Sequence, residues 1–145
     1  MHTITNLGSI YLKENEPEKA RECFEIVLSY APAVAQALVG LSRYYMKKRP
    51  PDVTTALEFL SFVYCSGYHR NMAVLTDIAS AFILEKAYPD ALRFLDEAFA
   101  IDAEDETANR LRAYAIDQMT IEHSQVGQKA NETTAMFTQG INLNG

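Results

Sequence analysis

The sequence predicts an all-α protein, a solenoid of three helical hairpins followed by a C-terminal capping helix. Two observations lead to this fold class. A similar order of small, aromatic and proline residues returns with a period of about 34 residues, and apolar residues recur at helical rather than strand spacing. With 145 residues, 48% of them hydrophobic and 22% charged, the chain has the size and composition of one folded domain. The predicted helices, with no strand among them, cover about 2–14, 18–30, 35–47, 54–66, 71–85, 89–101 and 105–122.

The first period contains residues with separate physical tasks. Gly8 and Ala20 leave room where the two helices of a hairpin cross closely, and the larger Leu7, Tyr11 and Phe24 fill the gap between them. A proline cannot continue a helix. Pro32 therefore marks the end of the second helix.

These residues are similar to the tetratricopeptide repeat, whose pattern is Trp-x2-Leu-Gly-x2-Tyr, then Ala-x3-Phe, then Pro over about 34 residues. Ile4 replaces the opening aromatic. The resemblance extends over about residues 1–118 and implies a right-handed α-α superhelix. The repeats are placed at about 1–34, 35–71 and 72–105, with the capping helix at 105–122 and the whole domain at 1–122.

The second and third repeats match the pattern less closely than the first. The turn of the second one is about two residues too long, and Gly67 replaces the proline as a left-handed helix stop. Pro17 and Pro89 begin second helices, because proline is tolerated in a first turn. The second helix of the middle copy can be capped by Asp52 or by the threonines that follow it.

The capping helix would cover the last apolar face of the stack with Ala108, Leu111, Ala115 and Met119. Residues 123–145 are polar, and we expect a flexible tail there. A short docked helix over 128–138 is the alternative.

Charge and composition narrow the function. A net charge of −6 argues against nucleic acid and anionic membranes as partners. Cys23 and Cys65 are expected to be reduced thiols of a cytoplasmic protein. The three histidines lie far apart in the repeat scheme, neither cysteine has a nearby histidine in the repeat alignment to activate it, and there is no glycine-rich phosphate loop. The sequence therefore predicts no metal, no cofactor and no enzyme, but a module that binds a protein or peptide.

The resemblance also implies where a partner would bind. Family members usually contact ligands through the second, fifth, ninth, twelfth and thirteenth places of each first helix, on the concave side. These places and two positions of the capping helix hold His2, Thr5, Ser9, Leu12, Lys13, Gln36, Val39, Arg43, Met46, Lys47, Ala73, Thr76, Ser80, Ile83, Leu84, Arg110 and Tyr114.

Leu12, Met46 and Ile83 would form an apolar stripe for an extended peptide or an amphipathic helix, unless they pack against neighbouring helices instead. Arg43 and Lys47 favour acidic residues in the ligand. Family members that clamp acidic chaperone tails need Lys, Asn and Arg at five places. Those places hold Thr5, Ser9, Gly40, Ala73 and Asp77 here, which argues against chaperone-tail binding.

A second surface is expected on the convex side, where Phe59, Phe62 and Phe94 would lie together on second helices. Coverage by the long turn or by the tail is the alternative. Two functions follow. One is a small adaptor or chaperone that uses the groove, resembling the repeat-containing chaperones of type III secretion in size and acidity. The other is a structural subunit of a homo- or hetero-oligomer that uses the convex aromatic residues.

Overall fold

The computed structural model describes the backbone of residues 2–144 and the side chains of residues 3–126. Within this range all regular structure is helical. The helices are α1 (His2–Lys13), α2 (Pro17–Tyr30), α3 (Ala35–Lys47), α4 (Val53–Val63), α5 (Met72–Leu84), α6 (Tyr88–Ile101) and α7 (Glu106–Asn144). The predicted all-α solenoid of hairpins is confirmed, and the first six helices begin and end within three residues of their predicted limits.

The first and third hairpins turn in the same way. Asn15 and Lys86 occupy equivalent places and both adopt positive φ, at 62° and 59°. The following amides, of Glu16 and Ala87, each bond to a carbonyl five residues back, at 2.8 and 2.9 Å. This is the Schellman arrangement, which uses carbonyls left unpaired at a helix end. A residue other than glycine in the left-handed conformation raises the conformational energy at each of these turns.

The middle hairpin is built differently. The Asp52 carboxylate accepts from the Thr55 amide at 3.2 Å, so Asp52 is the cap of α4 among the candidates. The predicted helix 54–66 is corrected, because α4 ends at Val63 and a π-helical turn follows over Tyr64–Tyr68. Gly67 has φ 108°, which confirms it as the left-handed stop.

The first helices of the hairpins lie on the inner side of the stack. In residues 2–144, α1, α3, α5 and α7 each touch the next one in this series, whereas α2, α4 and α6 do not touch one another. Helices on the inside of a curved stack lie closer together than those on the outside. The surface of α1, α3, α5 and α7 is therefore the concave one.

Phe24 is the centre of the first core. Its ring is 0% exposed and lies between α1 and α3. A Cβ built on Gly8 would come within 2.7 Å of the ring, and one built on Gly40 would come closer still. Gly8 is thus a close-contact position and Ala20 is fully buried, but Leu7 does not fill the gap as predicted. It is 41% exposed.

The capping helix is longer than predicted. Ala108 and Ala115 are fully buried and Leu111 and Met119 half-buried, so the predicted face does pack on the body. The helical backbone then continues past 122 to Asn144. Side chains beyond Val126 lie outside the described residues, and so does the expectation of a flexible tail or a docked helix there.

Candidate functional site: a concave cleft

A cleft of about 380 Å³ opens on the concave side between α1, α3 and the start of α5. Three helices and one turn supply its walls. The lining residues are Thr5, Asn6, Ser9, Leu12, Lys13, Ala35, Gln36, Val39, Gly40, Arg43, Lys47, Tyr68, Asn71, Ala73 and Val74.

The structure brings about half of the proposed binding residues together in this cleft. They are Thr5, Ser9, Leu12, Lys13, Gln36, Val39, Arg43, Lys47 and Ala73. The others do not line it. They are Met46, Thr76, Ser80, Ile83, Leu84, Arg110 and Tyr114, while the side chain of His2 lies outside the described residues.

The expected apolar stripe is largely built into the protein itself. Leu12 is 6% exposed and belongs to the first core, and Ile83 packs against the core around Leu75 and Leu95. Met46 is half-buried. The alternative, that these side chains pack against neighbouring helices, therefore holds for Leu12 and Ile83.

Arg43 is the best-fixed cation of the cleft. Its Nε donates to Asp77 Oδ2 of α5 at 2.8 Å, while the Arg43 side chain stays 43% exposed. Burial raises the pKa of Asp77, and the neighbouring guanidinium opposes that rise. The pair fixes the guanidinium at one end, and its terminal nitrogens can donate to a ligand.

Lys47 and Lys13 lie at the turn end of the cleft, where α3 and α1 finish. Lys47 Nζ donates to the carbonyl of Leu12 at 3.2 Å, in the last turn of α1. A cation there is favoured by the negative end of the helix dipole. The bond uses one of three donors on the ammonium group. Lys13 is exposed on the same rim.

Among the described residues that line the cleft, three are cations and none is a carboxylate. The protein as a whole carries a net charge of −6. Asp77 lies beside the cleft, but its side chain is only 16% exposed and is paired with Arg43. The cleft is therefore locally positive on an acidic protein.

The hydroxyl groups of the concave face bond mostly within their own helices. Ser9 donates to the carbonyl of Thr5, Thr76 to those of Met72 and Ala73, and Ser80 to that of Thr76. Their protons are thus already used, and each oxygen remains able to accept a bond.

Six residues of the lining were not among the predicted binding residues, namely Asn6, Ala35, Gly40, Tyr68, Asn71 and Val74. Asn6 lies on the same face of α1 as Ser9, so helical spacing alone could have found it. Tyr68, Asn71 and Val74 reach the cleft because the π-helical turn redirects the chain before α5. No repeat position predicts that turn.

The convex aromatic residues do not form the expected exposed group. Phe59 stacks on Tyr45 with ring centroids 5.9 Å apart, and Phe94 stacks on Phe82 at 5.6 Å. Both are half-buried between helices, whereas Phe62 is 52% exposed. This corrects the expectation that Phe59 belongs to an exposed convex surface, because its ring stacks on Tyr45 of α3.

The two cysteines differ in access. Cys23 is buried on α2, and burial raises the pKa of its thiol, with a smaller effect from Glu22. Cys65 is exposed in the π-helical turn. Within the described residues no group of three His, Cys, Asp or Glu side chains could hold a metal ion. None of the described helices is both long and apolar enough to cross a membrane.

Comparisons with known proteins support the fold through structure alone. No family model matches the chain, and no curated protein matches its sequence. The first tetratricopeptide domain of Spaghetti (RPAP3), solved with the HSP90 peptide SRMEEVD, is similar at a TM-score of 0.72 and 10% identity, over 81% of this chain and 94% of that one. The second such domain of human RPAP3, in complex with the HSP70 peptide SGPTIEEVD, gives 0.65 and 12%, over 77% and 91%.

A mutant of MamA is similar at a TM-score of 0.62 and 21% identity, over 89% of this chain and 74% of that chain. At such identities the likeness shows the fold. The chain is an all-α solenoid with the fold of tetratricopeptide-repeat domains.

Proposed function

We propose that this tetratricopeptide-fold chain is a protein-interaction module whose concave cleft holds a segment of a partner protein. The cleft is the observation that supports this function. It is open, locally positive and lined by side chains with free donors, such as Lys13 and the terminal nitrogens of Arg43. Two solved domains of the same fold are described as bound to peptides, which supports the same use of this surface.

The finer interpretation is a small adaptor or chaperone. The cleft of about 380 Å³ has the volume of a site for a few side chains, which suits one segment of a partner. No residue of the cleft distinguishes a type III secretion chaperone from other proteins of this fold. A cytoplasmic location and the lack of catalysis remain predictions from the sequence.

The peptides bound by these two domains are not proposed as ligands of this chain. At the five places where a chaperone-tail clamp needs Lys, Asn and Arg, the cleft region has Thr5 at 3% exposure, Ser9, Gly40, Ala73 and the paired Asp77. Its cations lie elsewhere. We therefore propose a ligand other than those chaperone tails.

The alternative, a structural subunit that assembles through its convex side, has less support. Of the three aromatic residues expected there, only Phe62 is exposed. Stable interfaces bury on the order of 800 Å² per partner. Ile26, Tyr30 and Ile101 are also exposed on second helices, but two of the three aromatic residues on which this alternative was based are half-buried.

Site-specific photo-cross-linking tests the proposal. A benzophenone amino acid at Gln36, inside the cleft, should cross-link the native partner, whereas one at Phe62 should not. Ala73→Trp should fill the cleft and abolish that cross-link. Ala100→Trp is the matched control, because Ala100 is also an exposed helical alanine but lies on α6.

Two results would contradict the cleft hypothesis. One is a cross-link from Gln36 that survives Ala73→Trp. The other is a partner that cross-links from position 62 and not from position 36, which would favour the convex alternative.

A further inference from the structure

The concave face changes character from one end of the stack to the other. The thirteenth place of each first helix carries Lys13 on α1, Lys47 on α3 and Leu84 on α5. The ninth place changes from Arg43 on α3 to Tyr114 on α7. The surface thus carries cations over α1 and α3, and exposed apolar side chains beside the cation Arg110 over α5 and α7.

The apolar half is exposed. Leu84 is 49% exposed, Tyr114 50% and Ile121 48%. Leu84 shares a face of α5 with Ala73, which lines the cleft, because eleven residues are close to three helical turns. Tyr114 and Ile121 are seven residues apart and share a face of α7. Large apolar side chains grouped on one side of a protein are typical of an interaction surface.

The cationic half is preorganised. Arg43 is held by Asp77 and Lys47 by the Leu12 carbonyl, so little side-chain freedom is lost when an anion binds. Opposite charge across an interface favours fast association and selects partners.

Resting on the proposed function, we infer that the partner segment is bipartite, with acidic residues over α1 and α3 and an aliphatic or aromatic residue over α5 and α7. The order follows from the stack, because the three cations that line the cleft are on α1 and α3, whereas Leu84 and Tyr114 are on α5 and α7. This partner is an acidic-apolar peptide segment of another protein.

The separation between the two parts follows from helix spacing. Packed helices lie about 8–10 Å apart, so α3 and α7, which are two steps apart, are separated by roughly 20 Å. An extended peptide rises about 3.3 Å per residue and needs about six residues for that distance. A helical ligand rises about 1.5 Å per residue and needs about 13. The spacing therefore also reports the conformation of the ligand.

Selection from a random-peptide display library tests the inference with a defined probe. Peptides chosen by the full chain should contain acidic residues at one end and a large apolar residue about six positions away, or about 13 if they bind as a helix. Lys13→Glu should reduce the preference for acidic residues. Leu84→Gln with Tyr114→Ser should abolish the apolar preference and keep the acidic one.

The affinity of one selected peptide for each variant measures how much each substitution weakens binding. Lys13→Glu should weaken binding about tenfold in dilute buffer and much less at high salt, because exposed charges are screened. The matched control is Arg93→Glu, an exposed cation on α6, which should leave the affinity unchanged. Circular dichroism of each variant shows that its fold is kept.

The outcomes separate this inference from the proposed function. Selected peptides that compete with the Gln36 cross-link but lack either acidic or apolar residues would overturn the bipartite ligand and leave the cleft function intact. Peptides that bind the Ala73→Trp variant as tightly as the original chain would overturn both the bipartite ligand and the cleft function. If the chain associates with itself and Lys13→Glu abolishes that association, the occupant is a second copy, and the inference of a separate partner is wrong.

Discussion

Substitution of Gly40 by alanine should destabilise the protein, although alanine is the better helix former. A Cβ at this position would lie 2.5 Å from Cε1 and 2.7 Å from Cε2 of Phe24, and closer still to Cζ. Real carbon contacts are about 3.5–4.0 Å. The ring is 0% exposed and bounded on its other side by Gly8, so it has no open space to move into.

The size of the effect follows from two opposing contributions. Overpacking a core typically costs about 1–3 kcal/mol, and contact with three ring atoms favours the upper end. Replacing glycine by alanine inside a helix contributes about 1 kcal/mol in the stabilising direction. The net loss should be about 2 kcal/mol, or a fall of about 6 °C in melting temperature for a chain of this length.

Urea unfolding followed by circular dichroism measures the loss, and a double-mutant cycle assigns it. With Phe24→Leu already present, Gly40→Ala should lose most of its cost, which gives a coupling of about 2 kcal/mol. Gln36→Ala, at an exposed position of the same helix, should stay within about 0.5 kcal/mol of the original. If Gly40→Ala is neutral, or costs the same with and without Phe24→Leu, the proposed packing of this ring is wrong.

Two further predictions concern stability. Lys86→Gly should stabilise the chain by about 1 kcal/mol because Lys86 has φ 59°, whereas Lys86→Ala should not, and thermal unfolding compares the two. Burial raises the pKa of Asp77, so the folded state holds that proton more tightly than the unfolded state. Its contribution to stability should therefore fall as pH rises from about 4, the unfolded value, through the raised folded pKa. Asp77→Asn should lack this fall, and parallel pH profiles of the two proteins would contradict the assignment.

The sequence predicted the helices well because their limits depend on local signals. Pro17 and Pro89 lie in the first turns of second helices, and Gly67 supplies the positive φ inside the π-helical turn, through backbone constraints that need no tertiary contact. The close approach around Gly8 was predicted as well. A glycine inside a helix costs about 1 kcal/mol relative to alanine, and here a neighbouring ring needs the space that glycine leaves.

Side-chain partners were harder to predict. Arg43 was expected to be available for an acidic ligand, but Asp77, 34 residues away, occupies its Nε. Phe59 looked unpartnered because its stacking partner, Tyr45, belongs to the preceding helix. Such pairs depend on the rotation of each helix about its axis, and a single sequence does not specify that rotation.

The cleft itself was predicted only in part for the same reason. Family positions indicated its walls on α1 and α3, while Tyr68 and Asn71 enter through the π-helical turn.

That turn also has a practical consequence for biophysical work on this protein. Its residue Cys65 is an exposed thiol, three positions before Tyr68 in the cleft wall. The other cysteine, Cys23, is buried and has a raised pKa, so it reacts slowly with maleimides. A fluorescent dye can therefore be attached at Cys65 without altering the sequence. From there it would be close enough to the cleft to report its occupancy by a change in emission.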